Sequence, residues 1–96
     1  MKVIYNACFG GFGFSEEAER FFRNNNVSDE DLLTFEEERT NPIRVKYVEK
    51  HPNEASYEYA ELKIAEVPDD ATDWWIDEYD GFETVYYVQN GKHYEA

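Results

Sequence analysis

Cys8 is the single cysteine of this sequence, and it stands in "CFGGFGFSEE", just ahead of Gly10 and Gly11. A thiolate nucleophile beside loop N–H groups that hold an oxyanion would be the chemistry to test first. Such a nucleophile needs a base, and the histidines available are His51 and His93, neither in a recognisable motif. A free cysteine at the end of a core strand is the plainer reading. The same stretch also looks like a phosphate grip, because Gly10, Gly11 and Gly13 precede Ser15 and a helix start. Its chemistry argues otherwise. No Lys or Arg lies between Lys2 and Arg20, while Glu16 and Glu17 fill the turn that would receive the anion. "GFGFSE" also lacks the third glycine of G-x-G-x-x-G, and no G-K-[ST] occurs. A tight corner anchored by Phe9, Phe12 and Phe14 is expected, with Cys8, Gly10, Gly11, Gly13 and Ser15 as the alternative ligand loop.

Carboxylate pairs are plentiful: Asp69 with Asp70, Asp77 with Glu78, and Glu78 facing Glu83. General acid catalysis needs one carboxyl in an apolar pocket beside an ionised partner. With 22 acidic residues, chance pairs are expected and no catalytic residue is assigned. "DEYDG" offers oxygen ligands before a glycine but breaks the order of a calcium loop, and zinc lacks ligands. No metal and no cofactor are expected, and the sequence points away from an enzyme.

A broader signal lies further on. From Ile64 through Gly91 there is no Lys or Arg, whereas Asp69, Asp70, Asp73, Asp77, Glu78, Asp80 and Glu83 fall there, interleaved with Trp74, Trp75, Tyr79, Phe82, Tyr86 and Tyr87. Aromatic anchors ringed by charge have the make-up of a protein-binding hot spot. Asp73, Trp75, Asp77, Glu78, Asp80 and Glu83 are the expected contact residues. The plain alternative is one core face and one solvated face whose tyrosines suit strands.

The elements that must position these residues follow from pattern. "KVIYN" reads as a core strand, and Ser15 as the N-cap of a helix with Phe14, Ala18, Phe21 and Phe22 on one face. Ser28 and Asp31 form an S-x-x-D start for a second helix, with Leu32 and Phe35 behind it. In 41–51, Asn41-Pro42 favours a helix although Ile43, Val45 and Tyr47 alternate like a strand. Residues 60–67 read as a half-buried strand. Asp80-Gly81 and Asn90-Gly91, each flanked by β-formers, predict two hairpin turns and a three-stranded meander joined to strands 2–6 and 60–67. In that register Tyr79 faces Phe82, Glu78 faces Glu83 and Ile76 faces Val85. The expected fold is one α+β domain over 1–96. It has a three- to five-stranded, mainly antiparallel sheet with a C-terminal β-meander, and two or three helices packed on one face.

Composition bounds the partner. The chain has 96 residues, a formal net charge of −13 and an aromatic share of 18%, too aromatic for a disordered acidic segment. Phosphate affinity needs Lys and Arg, so direct nucleic-acid binding is excluded and a partner with a basic surface is favoured. No apolar run is long enough to span a bilayer, the N-terminus lacks a signal peptide, and a lone cysteine suits a reducing compartment; the expectation is cytoplasmic, with no membrane contact.

"VIYNACFGGFGFSEEAERFF" resembles the opening of a family of small acidic proteins of tailed phages and prophages, which begin with a strand, a C-Y/F-G-G-F-G-L-S turn and a helix. The resemblance continues through "RTNP", "VEK" and "LKIAEVPDD" to "IDEYDGFETV". Phe14 replaces the usual leucine, His51-Pro52 replaces a Leu-Gly helix ending, and the tail "QNGKHYEA" differs. The resemblance implies a phage origin, an intracellular α+β domain in the host cell, and no reaction. Together with the charge pattern, the expected function is binding of a basic site on a host protein, as a nucleic-acid mimic or an inhibitor of a defence or DNA-processing enzyme. The alternative is a small-molecule or nucleotide binder, or minimal enzyme, at the Gly10–Gly13 corner. The chain is expected to be a monomer or a homodimer through "KHYEA".

Overall fold

The computed structural model describes residues 1–29 and 32–96. Its described residues form five antiparallel strands in two sheets, with helices covering one side. β1 (Lys2–Asn6) pairs with β2 (Leu62–Glu66), Ile4 opposite Ile64. β3 (Asp73–Tyr79), β4 (Phe82–Gln89) and β5 (Lys92–Glu95) make the meander, with Tyr79 opposite Phe82, Glu78 opposite Glu83 and Ile76 opposite Val85. Asp80 and Gly81 have φ of 49° and 87°, Asn90 and Gly91 53° and 76°, so both turns use the left-handed pair that the sequence supplies.

The expected joining of the two sheets by a strand ladder does not occur. Instead the β1–β2 pair is the middle of three layers. On one side Ile4 and Leu62 pack with Phe14, Ala18, Phe22, Val45, Val48 and Ala55 from the helical side. On the other, Val3, Ala65 and Val67 meet Val85, with Trp74, Ile76 and Tyr87 of the meander around them. Adjacent residues of one short strand thus belong to different cores, which is why Val3 and Ile4 are both apolar and fully buried rather than alternating with polar residues.

The helices are α1 (Glu16–Asn24), α2 (Phe35–Thr40), α3 (Pro42–Lys50) and the single turn α4 (Pro52–Ala55). Ser15 caps α1, its Oγ accepting the Ala18 N–H. Phe14, Ala18 and Phe22 are buried as the spacing predicts, but Phe21 stays half out, leaning on Tyr47 at 4.8 Å. The expected start at Ser28 falls partly outside the described residues, and α2 itself opens at Phe35. Thr34 is its N-cap, the hydroxyl accepting the Glu37 N–H and donating to the Glu37 carboxylate, both at 3.1 Å. Asp31, the other half of the expected start, lies outside the described residues. Segment 41–51 is helical because the Asn41 side chain accepts the Ile43 and Arg44 N–H groups and Pro42 opens the first turn.

The outer edge of β1 is closed by an ion pair. Asn6 donates its N–H to Glu83 Oε1 at 2.8 Å, while Arg39 Nη1 donates to the Ile4 carbonyl at 3.3 Å. Arg39 in turn grips both carboxylate oxygens of Glu83, at 2.8 and 2.9 Å. Ile4 and Asn6 point their backbone groups to the same edge, so a salt bridge stands where a neighbouring strand would.

Candidate functional site

Strand parity divides the meander into two faces. The inner one carries Trp74, Ile76, Val85 and Tyr87 into the core. The outer one presents Asp73, Trp75, Asp77 and Tyr79 on β3, Phe82, Thr84 and Tyr86 on β4, and His93 and Glu95 on β5. Trp75 is held between neighbours: its ring stacks on Tyr86 at 5.9 Å and meets His93 edge-on at 5.5 Å. Tyr79 is 74% exposed beside it. A shallow concavity of about 290 Å³ opens here between Phe9, Asp77, Glu78, Tyr79, Phe82 and Tyr86.

Phe9 was not among the expected contacts, and it reaches this face because the glycine corner docks on the hairpin turn. The Phe9 and Phe82 rings lie 5.3 Å apart. Asn6, fully buried, ties the joint from beneath: its amide donates to the carbonyls of Cys8 and Gly81, both at 2.8 Å, and its Oδ1 accepts the Glu61 N–H at 2.8 Å. Nothing in the sequence marks Asn6 except its polarity at the end of an apolar strand.

The six expected contacts separate on this frame. Asp73, Trp75 and Asp77 share the outer face, and Asp80 is exposed in the adjoining turn. Among the described residues the carboxylates of Asp77 and Asp80 have no hydrogen bond or ion pair, while Asp73 Oδ1 accepts the Trp74 N–H at 2.8 Å. Glu78 belongs to the other parity and its Oε1 accepts the Gly81 N–H, closing the turn. Glu83 is corrected outright. Only 6% exposed and clamped by Arg39, it cannot meet a partner. Its place beside Val85's parity partners was readable in the register that pairs it with Glu78.

The alternative ligand loop is filled by the protein itself. A Cβ built on Gly10 would lie 1.6 Å from the Tyr59 carbonyl oxygen, and one on Gly13 3.1 Å from the Tyr57 side chain. A Cβ on Gly81 would come within 2.5 Å of the Gly11 nitrogen. The Ser15 hydroxyl bonds the Glu54 carbonyl besides capping α1. Cys8 Sγ sits 3.1 Å from the Tyr59 carbonyl oxygen, a satisfied thiol. His51 packs on Tyr47 and His93 on Trp75; among the described residues neither hydrogen-bonds Cys8. No three His, Cys, Asp or Glu side chains among the described residues converge as a metal site, and no helix there is long and apolar enough to cross a membrane.

Comparison with protein-family models, with curated proteins and with solved structures found no match for this chain.

Proposed function

We propose that this protein is a binding module rather than an enzyme, and that the outer face of its meander docks on a basic site of a partner protein. The observation that carries the reading is Trp75. Its large ring is fixed between Tyr86 and His93, so little side-chain entropy is lost on binding, and it is flanked on its own strand by Asp73 and Asp77. Rigid aromatic anchors supply short-range affinity; uncompensated carboxylates steer a cationic partner and reject anionic ones. Spaced acids of this kind can stand in for phosphates. In a phage-type protein the natural target is the nucleic-acid groove of a host defence or DNA-processing enzyme.

Capture from a host lysate on the immobilised chain tests this, repeated from low to high salt. A basic protein should be retained by the wild type, released as salt screens the charges, and lost with Trp75→Ala. A nucleotide panel that raises the melting temperature, with no such capture, would favour a ligand at the glycine corner instead.

A further inference from the structure

β2 is paired on one edge only. The bonds Ala7 N–H to Glu61 O and Val67 N–H to Met1 O, both 2.8 Å, show that odd-numbered residues carry the ladder to β1. Leu62, Ile64 and Glu66 therefore turn their backbone groups the other way. The Leu62 N–H is taken by the Ser56 hydroxyl at 3.0 Å. Among the described residues nothing meets the N–H or C=O of Ile64. These groups face an open groove of about 810 Å³ between β2 and the α3–α4 side, floored by Val48, Pro52, Leu62 and Ile64. The contrast with β1 is sharp: one edge of this two-stranded sheet is closed by a buried ion pair, and the other is left open beside a trough.

We propose that this edge takes up an extended, basic segment of a partner protein as an additional strand. Backbone pairing at Ile64 would hold the segment, as in other strand-addition complexes, and alternate apolar side chains would settle over Pro52 and Ile64. Charge selects the occupant. Among the described residues Glu49, Glu58 and Glu61 line the trough with Lys63 as its one lining cation. Lys63 lies 3.7 Å from Glu61 and Lys2 bonds Glu49 at 2.6 Å from outside the lining, so Glu58 is the acid left for a cationic guest on a chain of net charge −13. Five residues of β2 match a strand of roughly 17 Å, about five residues of peptide. A second copy of this acidic chain fits the trough poorly. The inference does not use the outer meander face, so either can fail alone.

The probe is a synthetic peptide of about seven residues alternating lysine and valine, long enough to cover the edge. Amide hydrogen exchange on the intact chain should slow at Ile64 and Glu66 when it binds. A peptide of the same sequence and charge, N-methylated at alternate backbone nitrogens, should bind at least about tenfold more weakly. Ile64→Pro, which removes the edge donor and leaves the β1 ladder bonds intact, should weaken the parent peptide similarly; if that variant does not fold, Glu66→Pro serves, with an exposed side chain. Equal affinity of the methylated peptide would overturn the proposal, as would protection confined to the meander. Protection of Ile64 that grows with protein concentration without peptide would also overturn it, by making a second copy the occupant.

Discussion

Arg39 and Glu83 meet through two parallel hydrogen bonds of 2.8 and 2.9 Å, and between them they satisfy one carbonyl and one N–H of the same strand. The guanidinium also lies 3.5 Å above the centre of the Phe12 ring, which connects the pair to the glycine corner. A helix, a central strand, the meander and the corner thus share one buried polar joint.

Removing either partner leaves a buried charge alone, so Arg39→Met or Glu83→Leu should each cost about 3–5 kcal/mol. In many proteins the doubly apolar variant recovers most of such a loss. Here it should recover only part, because Ile4 and Asn6 lose their edge partners. Urea unfolding of the two single variants and the double variant measures this, and full recovery would show that the edge does not depend on the pair.

Gly81 and Gly91 occupy equivalent positions in the two hairpin turns, at φ of 87° and 76°. A Cβ on Gly91 meets open space, whereas one on Gly81 strikes the backbone of Gly11 and Phe9. Alanine should cost about 1–2 kcal/mol at Gly91 from conformation alone, and about 1–3 kcal/mol more at Gly81. Equal losses in thermal or urea unfolding would mean that the corner does not rest on the turn.

Thr34→Ala should cost about 1 kcal/mol by removing the cap of α2. Chemical denaturation of the variant measures this, and an unchanged midpoint would show that the Thr34 hydroxyl does not support the start of α2.

Alkaline pH should weaken the fold. Burial, with Glu17 and Glu54 nearby, raises the Tyr47 phenol above its ordinary 10.0. The hydrogen bond and charge of Glu49 raise Lys2 above 10.5. Both folded values exceed the unfolded ones, so their contributions are complete below the ordinary values and are lost as pH climbs through the raised ones. Tyr47→Phe should flatten the fall in stability above about pH 10, measured by urea unfolding at stepped pH. An unchanged slope would place the effect elsewhere.

Local rules made much of this fold legible. Asp80-Gly81 and Asn90-Gly91 specify turn type, and turn type specifies register, so the meander and its two faces followed from two dipeptides. Asn41-Pro42 outweighed the alternation of Ile43, Val45 and Tyr47, since a cap acts at one place whereas alternation in a short segment also arises on a helix. What lay beyond reach was long-range. Arg39 and Glu83 are 44 residues apart and Asn6 and Gly81 are 75 apart, and no periodicity announces a pairing across such distances. The register puts Glu83 on the inner parity, but nothing in the sequence names Arg39 as its partner. The glycine corner was legible as a corner, but its seat on the hairpin turn required coordinates.

Binding at the outer meander face is tested most directly by affinity for the captured basic partner, measured for three variants at one salt concentration. Trp75→Ala should weaken binding by about thirtyfold or more, as expected of a hot-spot ring. Asp73→Asn with Asp77→Asn should weaken it clearly, while Glu16→Gln with Glu17→Gln, which removes equal charge from α1, should barely change it. If the α1 pair weakens binding as much as the meander pair, and Trp75→Ala has no effect, net charge rather than this face makes the contact.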